Sequence, residues 1–400
     1  MSTSNPILPL RRPSTDVAPA TTVGREPALD SLRGLAALAV VFAHLAVAGL
    51  SSSEPLWSTL KWTPLRIFWS GHQAVILFFV LSGFALTRML HSIPSSRYDA
   101  YILSRIARIY PPYLASIIVA FCAYAALQKF IPWNAGWMSI PKPALGSVSI
   151  LDHIMMVGVF NTSEINPPIW SIVYEMRISM VFPLIYVAVK HLRAKSIAIF
   201  IVMSLCISWL TAGYISLTET QTSFLISLHY TTFFAIGSYI AFDQAAIVRL
   251  FSRNRAVRSV LWLAALVLYA YPFNVRWSIS ERMIGDLGIG VGAFMIIALI
   301  LSAKNETFLH RIRFLGRISY SLYLNHILAV NIAILLLYDS AGPLAVWVVG
   351  LPAAILFSSL VYFLVERPSI SISRQLRRIT LQLKSRTLSS RPISDEVNRP

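Results

Sequence analysis

Seven residues that carry charge or titrate near neutral pH lie inside long apolar runs of the sequence: Arg33, His44, Glu175, Arg177, His229, Asp286 and His326. At membrane depth such groups are costly, and by default they mark a pathway or a site. Arg33 and His44 are eleven residues apart. At about 100° per residue this spacing returns to within roughly 20° of one helix face, with about 16 Å of rise between the two. That face presents a fixed cation at one level and, further along, an imidazole able to take a proton near neutral pH. Arg88, Arg105 and Arg108 fall near the same inner edge as Arg33. Guanidinium groups bind phosphate bidentately, so a phosphate-bearing ligand arriving from the cytoplasm suits the cluster. The competing reading of Arg88, Arg105 and Arg108 is ordinary positive-inside residues, and that of His229 is interhelical hydrogen bonding.

The elements that must position these groups are helices in lipid. Of 400 residues, 56% are hydrophobic and only 13% charged, against about 25% charged in a soluble domain. One soluble core of this length cannot hide so much apolar surface, which excludes an ordinary soluble enzyme. Ten apolar segments are each about long enough to span, at 31–50, 73–91, 111–130, 169–190, 196–214, 223–242, 257–272, 283–302, 317–338 and 343–365. The expected architecture is an all-α polytopic membrane protein of about ten transmembrane helices. A long connection, 131–168, contains Trp133 and Trp137, and its stretch Ile150–Phe160 is too short to span, which predicts a re-entrant or interfacial piece.

Charge sets the orientation. The net charge is +17. With both termini cytoplasmic, 26 Lys and Arg fall on the inside and 6 on the outside, leaving Arg33 and Arg177 within helices. The same spread of basic residues over every inner loop leaves no nucleic-acid partner to explain. Residues 1–28 read as a disordered cytoplasmic tail, 29–368 as the membrane domain, and 369–400 as a basic cytoplasmic tail whose arginines suit anionic headgroups. Cys122 and Cys206 lie in apolar runs, and no histidine arrangement has metal-ligand spacing, so neither a disulfide nor a metal is expected. From the expected helix ends, His44, Glu175 and His229 share one level in the outer half of the bilayer, about 10 Å from its outer boundary.

With these residues in view, the chain resembles the acyltransferase 3 family of integral-membrane O-acyltransferases. The resemblance rests on LDSLRGLAALAVVFAH at 29–44, FFVLSGF at 78–84, RIARIYPPY at 105–113, NPPIWSIVYEMRISMVFPL at 166–184, GRISYSLYLNH at 316–326 and VERP at 365–368. Many members carry a second glutamate where Met176 stands here, so no second carboxylate can act at that position. The resemblance implies transfer of an acyl group, usually acetyl from acetyl-CoA, to a sugar hydroxyl of a polysaccharide, oligosaccharide or glycoconjugate. It places the protein in a cell membrane, a bacterial inner membrane being expected. Acyl-CoA is then a co-substrate, with no permanently bound cofactor; a glycan is the acceptor and the bilayer the solvent.

In that chemistry His44 removes the hydroxyl proton as the oxygen attacks the thioester, or carries the acyl group itself. Glu175 orients His44 or steadies its imidazolium, provided their helices touch. Arg33, Arg105 and Arg108 hold the CoA phosphates. Ser82, Trp170, Tyr320 and His326 are assigned to the substrate pocket. Each has a plainer reading: Ser82–Gly83 as a close-packing pair, Trp170 as part of an interfacial belt, and Gly285, Gly288, Gly290 and Gly292 as packing glycines rather than a phosphate loop. The alternative function is a proton-coupled transporter or exporter, because buried His, Glu and Arg also build proton relays. A scaffold or sensor is the third reading.

Overall fold

The computed structural model describes residues 26–49, 59–60, 62–94, 97–127, 150–162, 165–213, 216–252, 255–271, 278–303, 309 and 311–389. Every regular element among them is helical: α1 (Pro27–Gly49), a 3₁₀ turn (Pro64–Trp69), α2 (Gly71–His91), α3 (Tyr98–Leu127), α4 (Ile150–Met155), α5 (Ile169–Leu192), α6 (Ala194–Leu210), α7 (Glu219–Phe242), α8 (Gln244–Phe251), α9 (Arg255–Ala270), α10 (Ile279–Leu301), α11 (Arg313–Val361), a π turn (Tyr362–Glu366) and α12 (Arg367–Ser389). Without water to satisfy the backbone, a helix closes its own hydrogen bonds, which is why apolar runs of this length take that form.

Seven helical stretches among the described residues are long and apolar enough to cross a membrane: α1, α2, α3, α5, α7, α10 and the continuous run Arg313–Leu383. That last run bends at Gly342, whose φ of 77° admits glycine, just before Pro343. Its two arms match the ninth and tenth expected segments. The fifth and seventh appear as α6 and α9, apolar but only 17 and 16 residues long. Capping boxes start α7 (Thr218 with Gln221) and α10 (Ser278 with Glu281).

Close backbone approach locks the bundle where the site lies. A Cβ on Gly83 would stand 2.1 Å from the Phe234 carbonyl oxygen, and one on Gly237 only 1.9 Å from that of Val80, so α2 and α7 touch backbone to backbone. Gly34 and Gly316 do the same for α1 and α11. Gly290 and Gly292 face Phe233 and the Tyr269 backbone, which is the packing role expected of them.

Ile150–Phe160 forms the six-residue α4 and an irregular stretch. Tyr110 and Tyr113 donate to the carbonyls of Ile154 and His153 (2.9 and 2.8 Å), and Arg177 donates to those of Val157 and Gly158. Arg177 also donates to Ser223 and Ser227, so it ties this segment to α7. Trp133 and Trp137 lie outside the described residues. The chain after Pro368 continues as helix α12 to Ser389, packed along α3: Ser373 donates to the Ser104 carbonyl (2.5 Å) and Arg97 to that of Thr380.

Candidate active site

A cavity of about 720 Å³ opens between α1, α2, α3, α5, α11 and α12. Seven arginines line it, namely Arg33, Arg105, Arg108, Arg317, Arg367, Arg374 and Arg377, against three acids, Asp30, Glu175 and Glu366. All three acids are engaged, Asp30 by lying 3.8 Å from Arg33 Nη1. Glu366, 4% exposed, accepts from the Ser321 backbone N–H (3.1 Å) and hydroxyl (2.6 Å). Glu175 accepts from Arg105 and from the Ser82 hydroxyl (3.0 Å). The remaining guanidiniums make the cavity strongly cationic, a setting that selects a polyanion. Arg33 donates to the Leu81 carbonyl (2.8 Å), which fixes its fork at the cavity wall. Arg105 is fixed by a bond from its Nε to Ser179 (3.0 Å).

The expected arginine set is thus brought together, with one exception and four additions. Arg88 turns away and pairs with Glu26 (2.8 Å), so its role is to hold the start of α1. Arg317, Arg367, Arg374 and Arg377 join the wall from α11 and α12. Sequence reasoning placed Arg367 in the VERP motif and assigned Arg374 and Arg377 to a basic cytoplasmic tail for headgroups or solvent. The signal that would have found them is that no proline or glycine follows Pro368 until Pro392, so nothing stops a helix there.

The upper end of the cavity is closed by Val75, Phe78, Ser171 and Tyr323. Tyr323 donates to the Pro168 carbonyl (3.1 Å), its oxygen lies 2.7 Å from Ser171 Oγ, and its ring meets Phe78 edge-on at 5.6 Å. Beyond Tyr323 stands His326, and against it His44, with ring centroids 6.3 and 5.1 Å apart in turn. His326 donates from Nδ1 to the Leu322 carbonyl (3.0 Å), which leaves the lone pair on a fully buried Nε2 without a protein partner among the described residues. Tyr320 lines the cavity and donates to the Ile109 carbonyl (3.0 Å).

Glu175 and His44 are not at one level. On α2, Gly71 faces Ala43 beside His44, whereas Ser82, eleven residues or about 16 Å further along, meets Glu175. Glu175 lies five residues, about 7.5 Å, along α5 from Trp170 toward the arginines. The residue beside His44 is His326, and the expected pairing of His44 with Glu175 gives way to Glu175 with Arg105 and Ser82. Ser82 is both cavity lining and a hydrogen-bond donor, while the adjacent Gly83 carries the close packing.

His229 and Asp286 belong to another group, with Ser204 and His72. Trp170 stands beside His72, their planes 17° apart and centroids 6.3 Å apart. His72, on the exposed first turn of α2, is a polar site residue that sequence reasoning passed over.

Comparison with known proteins agrees with the resemblance. The family model described as "Acyltransferase domain", Acyl_transf_3, matches residues 26–363. The chain is 24% identical over 380 residues to "Acyltransferase MdmB" of Streptomyces mycarofaciens, covering 89% of this chain and 95% of that protein. It is 25% identical over 310 residues to "Putative acetyltransferase ORF330" of Acidianus two-tailed virus, covering 76% and 83%. No solved structure matches significantly. The chain belongs to the acyltransferase 3 family and is a multi-pass membrane O-acyltransferase.

Proposed function

We propose that the protein moves an acyl group, acetyl in the first instance, from acyl-CoA to a hydroxyl of a sugar in a surface polysaccharide, oligosaccharide or glycoconjugate. The observation that carries this reading is the arginine cavity, whose lining residue Tyr323 lies 6.3 Å from His326 and so one ring away from the His44–His326 pair. CoA is a polyanion with three phosphates at one end and an uncharged pantetheine thioester at the other. Arg33, Arg105, Arg108 and the α12 arginines suit the first, and the neutral upper end the second. A volume of about 720 Å³ falls in the range of cofactor-sized pockets.

Tyr323 stands between the cavity and His44, and its rotation joins the two. His44 then takes the proton of the acceptor hydroxyl as that oxygen attacks the thioester carbonyl; the carbon–sulfur bond breaks and CoA leaves as the thiolate. Glu175 serves the donor side by holding Arg105 in place. The chain crosses the cell membrane ten times, counting α6, α9 and both arms of Arg313–Leu383, with both termini in the cytoplasm, so the arginine cavity faces the acyl-CoA pool.

The test is mass spectrometry of surface glycans and secreted oligosaccharides from cells carrying wild-type protein, no protein, or His44→Ala. One acetyl mass lost in both mutant strains is the expected result. An unchanged glycan profile in the His44→Ala strain, with the variant in the membrane at wild-type level, removes His44 from the reaction.

A further inference from the structure

At the end of α2 away from the arginine cavity, four polar side chains form a chain across four helices. Ser204 (α6) lies 2.6 Å from His229 Nδ1 (α7), His229 Nε2 lies 3.3 Å from Asp286 Oδ2 (α10), and His72 Nε2 (α2) lies 2.6 Å from Asp286 Oδ1. An ionised carboxylate only accepts, so both imidazoles donate to Asp286 from Nε2. His229 then accepts the Ser204 hydroxyl proton at Nδ1, and that half of the chain is complete and buried. His72 is different. Its Nδ1 keeps a lone pair with no protein partner among the described residues, and 40% of its side chain is accessible while Asp286 is 4% accessible. A network built only to pack helices would have no reason to end on an open acceptor.

The position of that acceptor is informative. A Cβ on Gly71 would stand 3.0 Å from Ala43 Cβ, so His72 and His44 lie at the same height on adjoining helices. Val75, one turn along α2, closes the upper end of the arginine cavity. Trp170, nearly parallel to His72 at 6.3 Å, adds a half-buried indole beside that imidazole, held from its other sides by Tyr174 and Tyr230 at 5.9 and 6.1 Å.

We propose that His72 and Trp170, with Asp286 fixing the His72 tautomer, form the acceptor subsite: Trp170 packs against a sugar ring and His72 Nδ1 accepts a hydrogen bond from one of its hydroxyls. This rests on the reading of the protein as a sugar O-acyltransferase, and it gives the acceptor an entry separate from the donor's. Asp286 and His229 are positioning residues that act through His72.

Glutamine at position 72 separates this role from packing. Its amide nitrogen reproduces the Nε2 donor to Asp286, while its carbonyl oxygen stands at the tip of the side chain, displaced from the Nδ1 position, so the acceptor is moved out of register. Purified full-length protein is assayed with acetyl-CoA and a panel of methyl glycosides of glucose, galactose, mannose and rhamnose. For a glycoside turned over by wild type, His72→Gln raises the glycoside KM about tenfold, the effect of one lost hydrogen bond, and leaves the acetyl-CoA KM within about twofold. Asp286→Asn moves the same constant in the same direction. An unchanged glycoside KM in His72→Gln overturns the subsite. Equal rises in both KM values, or loss of the folded peak in size-exclusion chromatography, assign the chain to helix packing and overturn it as well. Failure of wild type to acetylate any glycoside, with acetyl-CoA still bound, overturns the sugar reading itself and the inference with it.

Discussion

Arg105 shows how one side chain gains a role from its neighbours. Its guanidinium is held by Glu175 and Ser179 while it lines the cavity, so its charge is both compensated and aimed. Removing one partner of a buried pair leaves an uncompensated charge and costs about 3 kcal/mol, whereas removing both costs less. Thermal unfolding in detergent should therefore show Glu175→Ala less stable than the Arg105→Ala/Glu175→Ala double variant; equal or greater stability for Glu175→Ala would dissolve the pair as a structural unit. Arg105→Ala should raise the acetyl-CoA KM at least tenfold, since a charge-assisted contact to phosphate is lost, and an unchanged KM would take Arg105 out of the donor site. At this scale the sequence was a good guide to residue types. Arg33, Arg105 and Arg108 stand together as their motifs implied. The partner of Glu175 was illegible, because it depends on how far α1, α3 and α5 slide past one another, and an error of one turn moves a side chain by about 5 Å.

Among elements, α12 changes the picture most. Read as a basic tail for anionic headgroups or solvent, residues 369–400 had no place in the fold; residues 369–389 continue α12, which lies along α3 and brings Arg374 and Arg377 to the cavity. The double variant Arg374→Ala/Arg377→Ala should raise the acetyl-CoA KM several-fold with kcat nearly unchanged, because these groups touch the donor far from the reacting carbon. Loss of kcat with an unaltered KM would contradict that placement. Most apolar segments were legible to within a few residues, since the spanning length is a strong constraint; the third was not, because α3 starts at Tyr98, thirteen residues before the expected 111–130, through a turn rich in polar and basic residues. The contacts of α12 were not, because its arginines read equally well as groups for solvent or headgroups.

For the whole molecule, the orientation and the reaction make a joint prediction. If the cavity faces the cytoplasm, sealed inverted membrane vesicles consume externally added acetyl-CoA and right-side-out vesicles do not. Consumption by right-side-out vesicles alone would reverse the topology. Activity in detergent, without any gradient, separates the enzyme from a proton-coupled transporter, which needs a sealed compartment.

The donor cavity is assembled from both ends of the chain, with Arg33 on the first helix and Arg374 and Arg377 on the last. No contiguous part of the polypeptide holds it. Synthesis must reach Arg377 before every arginine of the wall exists, and the cavity becomes whole only when α12 settles along α3. Nonsense alleles ending before about residue 374 should thus lose both arginines together with the contacts of α12 on α3, and raise the acetyl-CoA KM at least as far as the Arg374→Ala/Arg377→Ala double variant does, however much of the membrane bundle they retain.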